Sequence, residues 1–234
     1  MATKATKINM TAITNNLPTI RYRIREYEKK YRRKESTVHV VAVSKKRPKE
    51  AIELLYHQGH RHFGENYLQE ALPKIQNLSK LQIIWHFIGK IQSNKTAEIA
   101  TNFDWVQTLE RPKIAVRLNA QRPEHKEPLN TLIQINSSGE TSKSGINMEE
   151  LPALVKLINS LPRLRLQGVM TMPAPHISFD DQRKSFSTIM SALKTFNYDL
   201  PVISFGTSGD FEAAIAEGST MVRLGNVIFG PREG

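Results

Sequence analysis

The chain has 234 residues, enough to bury a large core in one α/β domain of barrel size or in two small domains. Hydrophobic residues make up 39% and charged residues 24%, the balance of an ordinary globular protein, and the absence of cysteine excludes disulfides, thiolate nucleophiles and cysteine-held metals. A formal charge of +11 makes nucleic acid or an anionic surface a partner class to weigh, while no apolar run approaches the length of a membrane span.

The segment Met1–Asn9 is polar with two lysines and lacks the apolar stretch of a signal peptide, which predicts a cytoplasmic protein. From Ile13 to Lys34, apolar residues fall at Ile13, Leu17, Ile20, Ile24, Tyr27 and Tyr31, alternately four and three apart. That spacing is one stripe of an amphipathic helix. Pro18 either kinks this helix or starts it, with Asn16 as a candidate cap. Many of the basic residues sit here, among them Arg21, Arg23, Arg25, Lys29, Lys30, Arg32, Arg33 and Lys34, mostly off the apolar stripe. A charge run on a helix is normally a solvated face, so nucleic acid is not expected as a partner.

A β-branched run, His39–Ser44, then predicts a buried strand, and Pro48 opens a helix through His57 that Gly59 ends. The cycle repeats with strands at Arg61–Gly64, Ile83–Gly89, Asp104–Thr108, Leu132–Asn136, Leu164–Met170, Val202–Gly206 and Met221–Gly225. The intervening helices are read at Asn66–Leu78, Ser93–Ala100, Arg111–Ala120, Glu149–Asn159, Asp180–Thr195 and Asp210–Glu217. Alternation of this kind implies parallel βαβ units, and eight of them predict a closed (β/α)8 TIM barrel. An open doubly wound sheet is second, since no G-x-G-x-x-G follows the first strand. The polar stretches Gln121–Pro128 and Ser137–Asn147 read as loops. With no low-complexity linker, residues 1–234 are expected to form a single barrel domain, with 1–36 as a helical N-terminal extension.

Barrels of this type carry their sites at the C-terminal ends of the strands. Polar and glycine residues gather there: Ser44-Lys45-Lys46, Gly64-Glu65-Asn66, Gly89-Lys90, Asn136-Ser137-Ser138, Gly206-Thr207-Ser208-Gly209 and Arg223-Leu224-Gly225-Asn226. The Gly206–Asp210 turn opens a helix, so its N–H groups with the Ser208 hydroxyl suit an anion, and Gly225-Asn226 offer further donors. Two ordinary glycine turns explain the same pattern. Strand alternation puts Val41, Val43 and Lys45 on one face and Ser44 and Lys46 on the other, so one of the two lysines points into the barrel mouth. A desolvated lysine there gains a free amine suited to Schiff-base formation, although a solvated lysine pair is the commoner arrangement. Glu65, Asn66 and His86 lie on or beyond strands, as ligand or acid–base candidates or as hydrogen-bonded structural groups. No His–carboxylate spacing suits a metal.

Five motifs stand in order along the chain: Ala42-Val-Ser-Lys45; Phe63-Gly-Glu-Asn-Tyr67 with Gln69-Glu70; Trp85-His-Phe-Ile-Gly89 with Gln92 and Asn94-Lys95; Gln134-Ile-Asn136 with Glu140 and Lys143-Ser-Gly145; and Gly218-Ser-Thr-Met-Val-Arg-Leu-Gly225 with Ile228-Phe-Gly230. Together, from about Val38 to Arg232, they resemble the pyridoxal phosphate homeostasis protein family. The resemblance implies a barrel like the N-terminal domain of alanine racemase, preceded by a helix. It implies that Lys45 holds pyridoxal 5′-phosphate (PLP) as a Schiff base, that Arg223 faces the pyridine nitrogen, and that Ser208, Gly225 and Asn226 hold the phosphate. Asn66 and His86, inside matching motifs, are carried as pocket residues. Asn226 stands where the family usually has threonine, and Phe205 and Thr207 where methionines are common, which points to backbone-only phosphate contacts at Asn226.

An arginine keeps its proton at neutral pH and so disfavours a protonated pyridine nitrogen, the electron sink of many PLP enzymes. Only about ten residues follow strand eight, too few for a further domain. The resemblance therefore implies an intracellular PLP carrier or regulator, a monomer without substantial turnover and with no catalytic residues assigned, whose recipients are PLP-dependent apo-enzymes. A weak PLP-dependent racemase or lyase is the second reading, and a nucleic-acid-binding barrel the third.

Overall fold

In the computed structural model, residues 10–137, 144–175 and 178–231 are described. Glu140, Lys143 and Arg232 of the quoted motifs lie outside them. The run predicted first as a strand forms β1 (His39–Val43), and β2 (His62–Glu65), β3 (Ile84–Phe87), β4 (Trp105–Leu109), β5 (Leu129–Ile135), β6 (Leu164–Thr171), β7 (Val202–Ser204) and β8 (Met221–Leu224) follow. Neighbours pair in parallel and in sequence order, and β8 returns to β1 through His39↔Met221 to Ala42↔Leu224, closing the barrel. Outside it lie α2 (Lys49–His57), α3 (Leu68–Asn77), α4 (Thr96–Asn102), α5 (Pro112–Gln121), α6 (Leu151–Asn159), α7 (Phe179–Lys194) and α8 (Phe211–Ala216). The apolar core fills the space between strands and helices. Phe63 on β2 meets Trp85 on β3 at 6.1 Å between ring centroids, and Phe87 meets Phe103 edge-on at 5.3 Å.

Most element ends fall within one or two residues of the sequence reading, and two larger differences stand out. The fifth strand begins at Leu129, three residues before the expected Leu132, because β5 pairs with β6 from Leu129↔Leu164 onward while polar Asn130 and Thr131 hide its start. A short helix, α9 (Asn226–Phe229), follows β8, where no element was expected.

The N-terminal helix α1 (Met10–Lys30) buries Ile13, Leu17, Ile20 and Ile24, as the stripe predicts, and packs on α2, α8 and α9. Pro18 lies inside it without starting it. Proline has no N–H to give to the carbonyl four residues back. That carbonyl, Thr14 O, instead accepts from Gln58 Nε2 at 2.9 Å, so a side chain from beyond α2 fills the gap. Asn16 is not a cap; its amide donates to Ile228 O of α9 at 3.0 Å. Most of the basic run is exposed, as expected of a solvated face, and two of its members also hold partners on the barrel. Lys30 pairs with Glu212 of α8 at 2.9 Å, and Arg33 donates to the Ile215 and Ser219 carbonyls. Glu28, fully buried, accepts the backbone N–H groups of Ser36, Thr37 and Val38, and so fixes the turn that delivers the chain to β1.

Candidate active site at the barrel mouth

Strand alternation continues past the end of β1. Val43 and Lys45 both line the cavity at the mouth, while Ser44 faces the helix layer and Lys46 is exposed with a positive φ of 59°. Lys46 gives its backbone N–H to the Glu70 carboxylate. Of the two lysines left open by the sequence, Lys45 is therefore the one turned inward. Behind it, Lys74 bonds the Ser44 carbonyl at 2.9 Å, Glu65 Oε1 at 2.9 Å and Glu70 at 2.7 Å. Glu65 is buried in this layer, outside the cavity; it also accepts from Ser44 Oγ at 2.7 Å, and burial pushes its carboxyl pKa up. The network anchors the strand end that carries Lys45.

Asn66, just past β2, lines the cavity, and its Oδ1 is buried without a partner. Gly89 makes this seat: a Cβ there would stand 1.9 Å from the Asn66 carbonyl oxygen. On the other side, Gly206 turns the chain after β7 with φ +92°, where a Cβ would lie 2.7 Å from Ala214 Cβ. Asp210 closes this turn by accepting from Thr207 N at 2.6 Å and Thr207 Oγ1 at 2.9 Å. Ser208 Oγ accepts from Gly225 N at 3.3 Å, joining the loops after β7 and β8. Among the described residues no hydrogen bond engages the backbone N–H of Ser208, Gly209 or Asn226. N–H groups left without a protein partner on two such loops form the usual phosphate cradle of barrels of this type.

Arg223 of β8 is 5% exposed. Its Nη1 donates to Ser204 O at 2.5 Å and Ser204 Oγ at 2.7 Å, and its Nη2 to Thr171 O at 2.9 Å, all neutral acceptors. Burial lowers its pKa to about 10, with Asp210 pulling the other way, so the guanidinium stays charged at neutral pH.

These groups share one cavity of about 500 Å3, lined by Lys45, Asn66, Ser208, Arg223, Gly225 and Asn226 among others. His86 does not join them. It lies below, fully buried, between His62 Nδ1 at 2.9 Å and Gln107 Nε2 at 3.0 Å, its ring stacked on Trp105. Its inward position on β3 follows from alternation, but its depth along the strand keeps it from the mouth. The sequence reading missed Thr108 and Glu110 at the end of β4, and Met170 and Met172 at the end of β6. Inspecting the ends of those two strands by the same rule finds them. Glu110 accepts from Gly145 N at 2.7 Å, which ties the loop after β5 to the rim.

A closed parallel barrel with an inward lysine ending β1 and a buried arginine on β8 defines the class, and residues 15–233 match the family model of the alanine racemase N-terminal domain. The pyridoxal phosphate homeostasis protein of Pseudomonas aeruginosa is 46% identical over 96% of this chain and 97% of its own length. The chain belongs to the pyridoxal phosphate homeostasis protein family. PipY of Synechococcus elongatus, solved with PLP bound, is 28% identical, covers 93% of this chain and 100% of its own, and superposes with a TM-score of 0.81. The alanine racemase of Bacillus anthracis shares the fold at 19% identity and a TM-score of 0.68, covering 96% of this chain and 57% of the racemase.

Proposed function

We propose that this protein binds PLP in the barrel-mouth cavity and serves cytoplasmic PLP homeostasis, carrying the cofactor on Lys45 without substantial turnover. The observation that carries the reading is the meeting, in one cavity, of the Lys45 side chain with the unengaged N–H groups of Ser208, Gly209 and Asn226. An amine at one wall and an anion cradle at the other match an aldehyde that bears a phosphate. When bound, PLP supplies an aldehyde that condenses with a primary amine and releases water, and a ring able to draw electrons. Ser208, Gly225 and Asn226 hold the phosphate, Asn66 lends its unpartnered Oδ1 to the pocket wall, and Arg223 faces the ring nitrogen. The bound PLP of PipY and the names of the relatives support the cofactor assignment.

Arg223, bonded among the described residues to neutral oxygens and charged at neutral pH, keeps a proton off a ring nitrogen beside it and so weakens the electron sink. This supports a carrier over an enzyme, with apo-enzymes that need PLP as recipients. In this reading the protein works as a monomer.

Two experiments test the proposal. The protein with PLP should absorb in the near-visible, and borohydride should fix one cofactor to Lys45; Lys45→Ala should abolish both signals. An adduct mapped mainly to Lys46 or Lys143 overturns the assignment. Sedimentation with a coupled D-alanine assay should give a monomer with no enzymatic turnover. An obligate dimer turning over about 1 per second or more, the low end of ordinary enzymes, promotes the racemase reading instead.

A further inference from the structure

The barrel interior below the cavity is crossed by a row of polar side chains that cofactor binding leaves unexplained. Arg223 Nη1 donates to Ser204 Oγ at 2.7 Å, and Ser204 Oγ donates to Gln107 Oε1 at 2.8 Å. Gln107 Nε2 reaches His86 Nδ1 at 3.0 Å, and His86 Nε2 reaches His62 Nδ1 at 2.9 Å. These residues come from β8, β7, β4, β3 and β2. The row runs from the cavity to the opposite end of the barrel, where His62 borders a cleft with Arg21, Arg25, His39 and His60.

The proton positions along the row follow from its chemistry. Arginine only donates, so Ser204 Oγ accepts from it and has its own hydrogen left to give. That hydrogen needs an acceptor, which places the Gln107 oxygen toward Ser204 and the Gln107 amide NH2 toward His86. In the reverse amide orientation the Ser204 hydroxyl would face two donors and lose the Gln107 oxygen as acceptor. His86 Nδ1 must then present a lone pair, so a neutral His86 carries its proton on Nε2 and donates it to His62 Nδ1. Every bond points away from Arg223. Ser204, Gln107 and His86 are all fully buried, where a broken link leaves an unsatisfied polar group. Burial also drives the pKa of His86 well below the ordinary value and that of His62 to about 4, which keeps both rings neutral.

We propose that Ser204, Gln107 and His86 are positioning residues that hold the Arg223 guanidinium in the cavity through a one-way hydrogen-bond chain ending at His62. The row itself stands without any ligand; its bearing on PLP rests on the function proposed above. The carbonyls of Ser204 and Thr171 anchor Nη1 and Nη2, and the Ser204 hydroxyl adds the side-chain bond through which the chain acts on Nη1. In this account His86 acts on the site through Arg223 rather than by touching the cofactor.

Nuclear magnetic resonance of the 15N-labelled protein without PLP tests the chain directly. At neutral pH, His86 should show a bare Nδ1 and a protonated Nε2, and Arg223 should show separate, slowly exchanging Nη signals. In Ser204→Ala and in His86→Phe, which keeps a ring to stack on Trp105, those Nη signals should shift and exchange faster, while the two backbone carbonyls still hold the group, and Ser204→Thr should restore the signals lost in Ser204→Ala. A His86 protonated on Nδ1, or Arg223 signals unchanged in both variants, overturns the proposal whether or not PLP binds. With PLP, the same two variants should move the visible band and weaken retention about three- to tenfold, the equivalent of one hydrogen bond. An unaltered band and affinity in correctly folded variants would leave the chain a structural device only and overturn the positioning role. If the unmodified protein takes up no PLP, the function proposed above fails, while the Arg223 signals still decide the chain.

Discussion

Lys45 and Arg223 divide the chemistry of the mouth between an amine and a fixed cation. The difference between them lies in their surroundings. Lys45 sits half-buried at a strand end, whereas Arg223 is buried and wired to Ser204 and Thr171. Arg223→Glu replaces a group that repels a proton on the ring nitrogen by one that holds it there. With PLP bound, this variant should show new long-wavelength absorbance on adding amino acids. The native carbonyl and hydroxyl oxygens around a buried carboxylate offer it no donor beyond Ser204, so a stability loss of about 1–3 kcal/mol should accompany the change. Unaltered amino-acid reactivity and spectrum would put Arg223 away from the ring. Strand alternation by itself leaves Lys45 and Lys46 both open; the motif selects Lys45, and the structure turns Lys45 into the cavity while Lys46 is exposed with a positive φ.

Among the elements, α1 shows how a basic, proline-containing segment is made part of a barrel. Its apolar stripe is legible from spacing alone. What keeps it continuous is not: Gln58 replaces the donor that Pro18 lacks, and buried Glu28 collects three N–H groups from the turn before β1. Glu28→Ala should therefore cost about 2–4 kcal/mol, the loss of charge-assisted bonds that leaves buried donors unpaired. Denaturant unfolding measures this, and a loss below about 0.5 kcal/mol, the usual effect of a surface change, would show that water replaces the carboxylate without penalty. The helix α9 escaped the sequence reading because four residues are too few to display a period.

For the molecule as a whole, the buried histidines set a direction of pH dependence. His60 and His62 both have their pKa lowered to about 4, chiefly by burial, against an ordinary value of 6.5. Between those values the unfolded chain binds protons that the folded chain refuses, so stability falls as pH drops from 6.5 toward 4 and is unaffected by these groups above that window. Each contributes a loss of at most about 2 kcal/mol by pH 5. Glu65 and Asp104, whose carboxyls are pushed up by burial, act in the opposite sense just above their ordinary range. Thermal unfolding at pH 7 and pH 5 should show a lower Tm at pH 5, and a smaller drop in His60→Gln. An equal drop in that variant would show that His60 is not a source of the acid sensitivity.

The order of eight strands and their helices, the stripe of α1, and a cluster of polar residues at strand ends were all determined by local pattern, because hydrophobic period and turn chemistry act over a few residues at a time. The strand-end rule together with the family resemblance placed Lys45, Asn66, Ser208, Arg223, Gly225 and Asn226 at the mouth, but the resemblance also carried His86 there, which the barrel holds one layer deeper. Depth along a strand depends on the stagger between neighbours, such as Gly64↔His86 and Val41↔Arg223, and stagger is a property of the closed barrel. Tertiary structure alone decided which N–H groups remain unengaged, and that five residues scattered from His62 to Arg223 form one directed row, because each of these depends on contacts between strands distant in sequence.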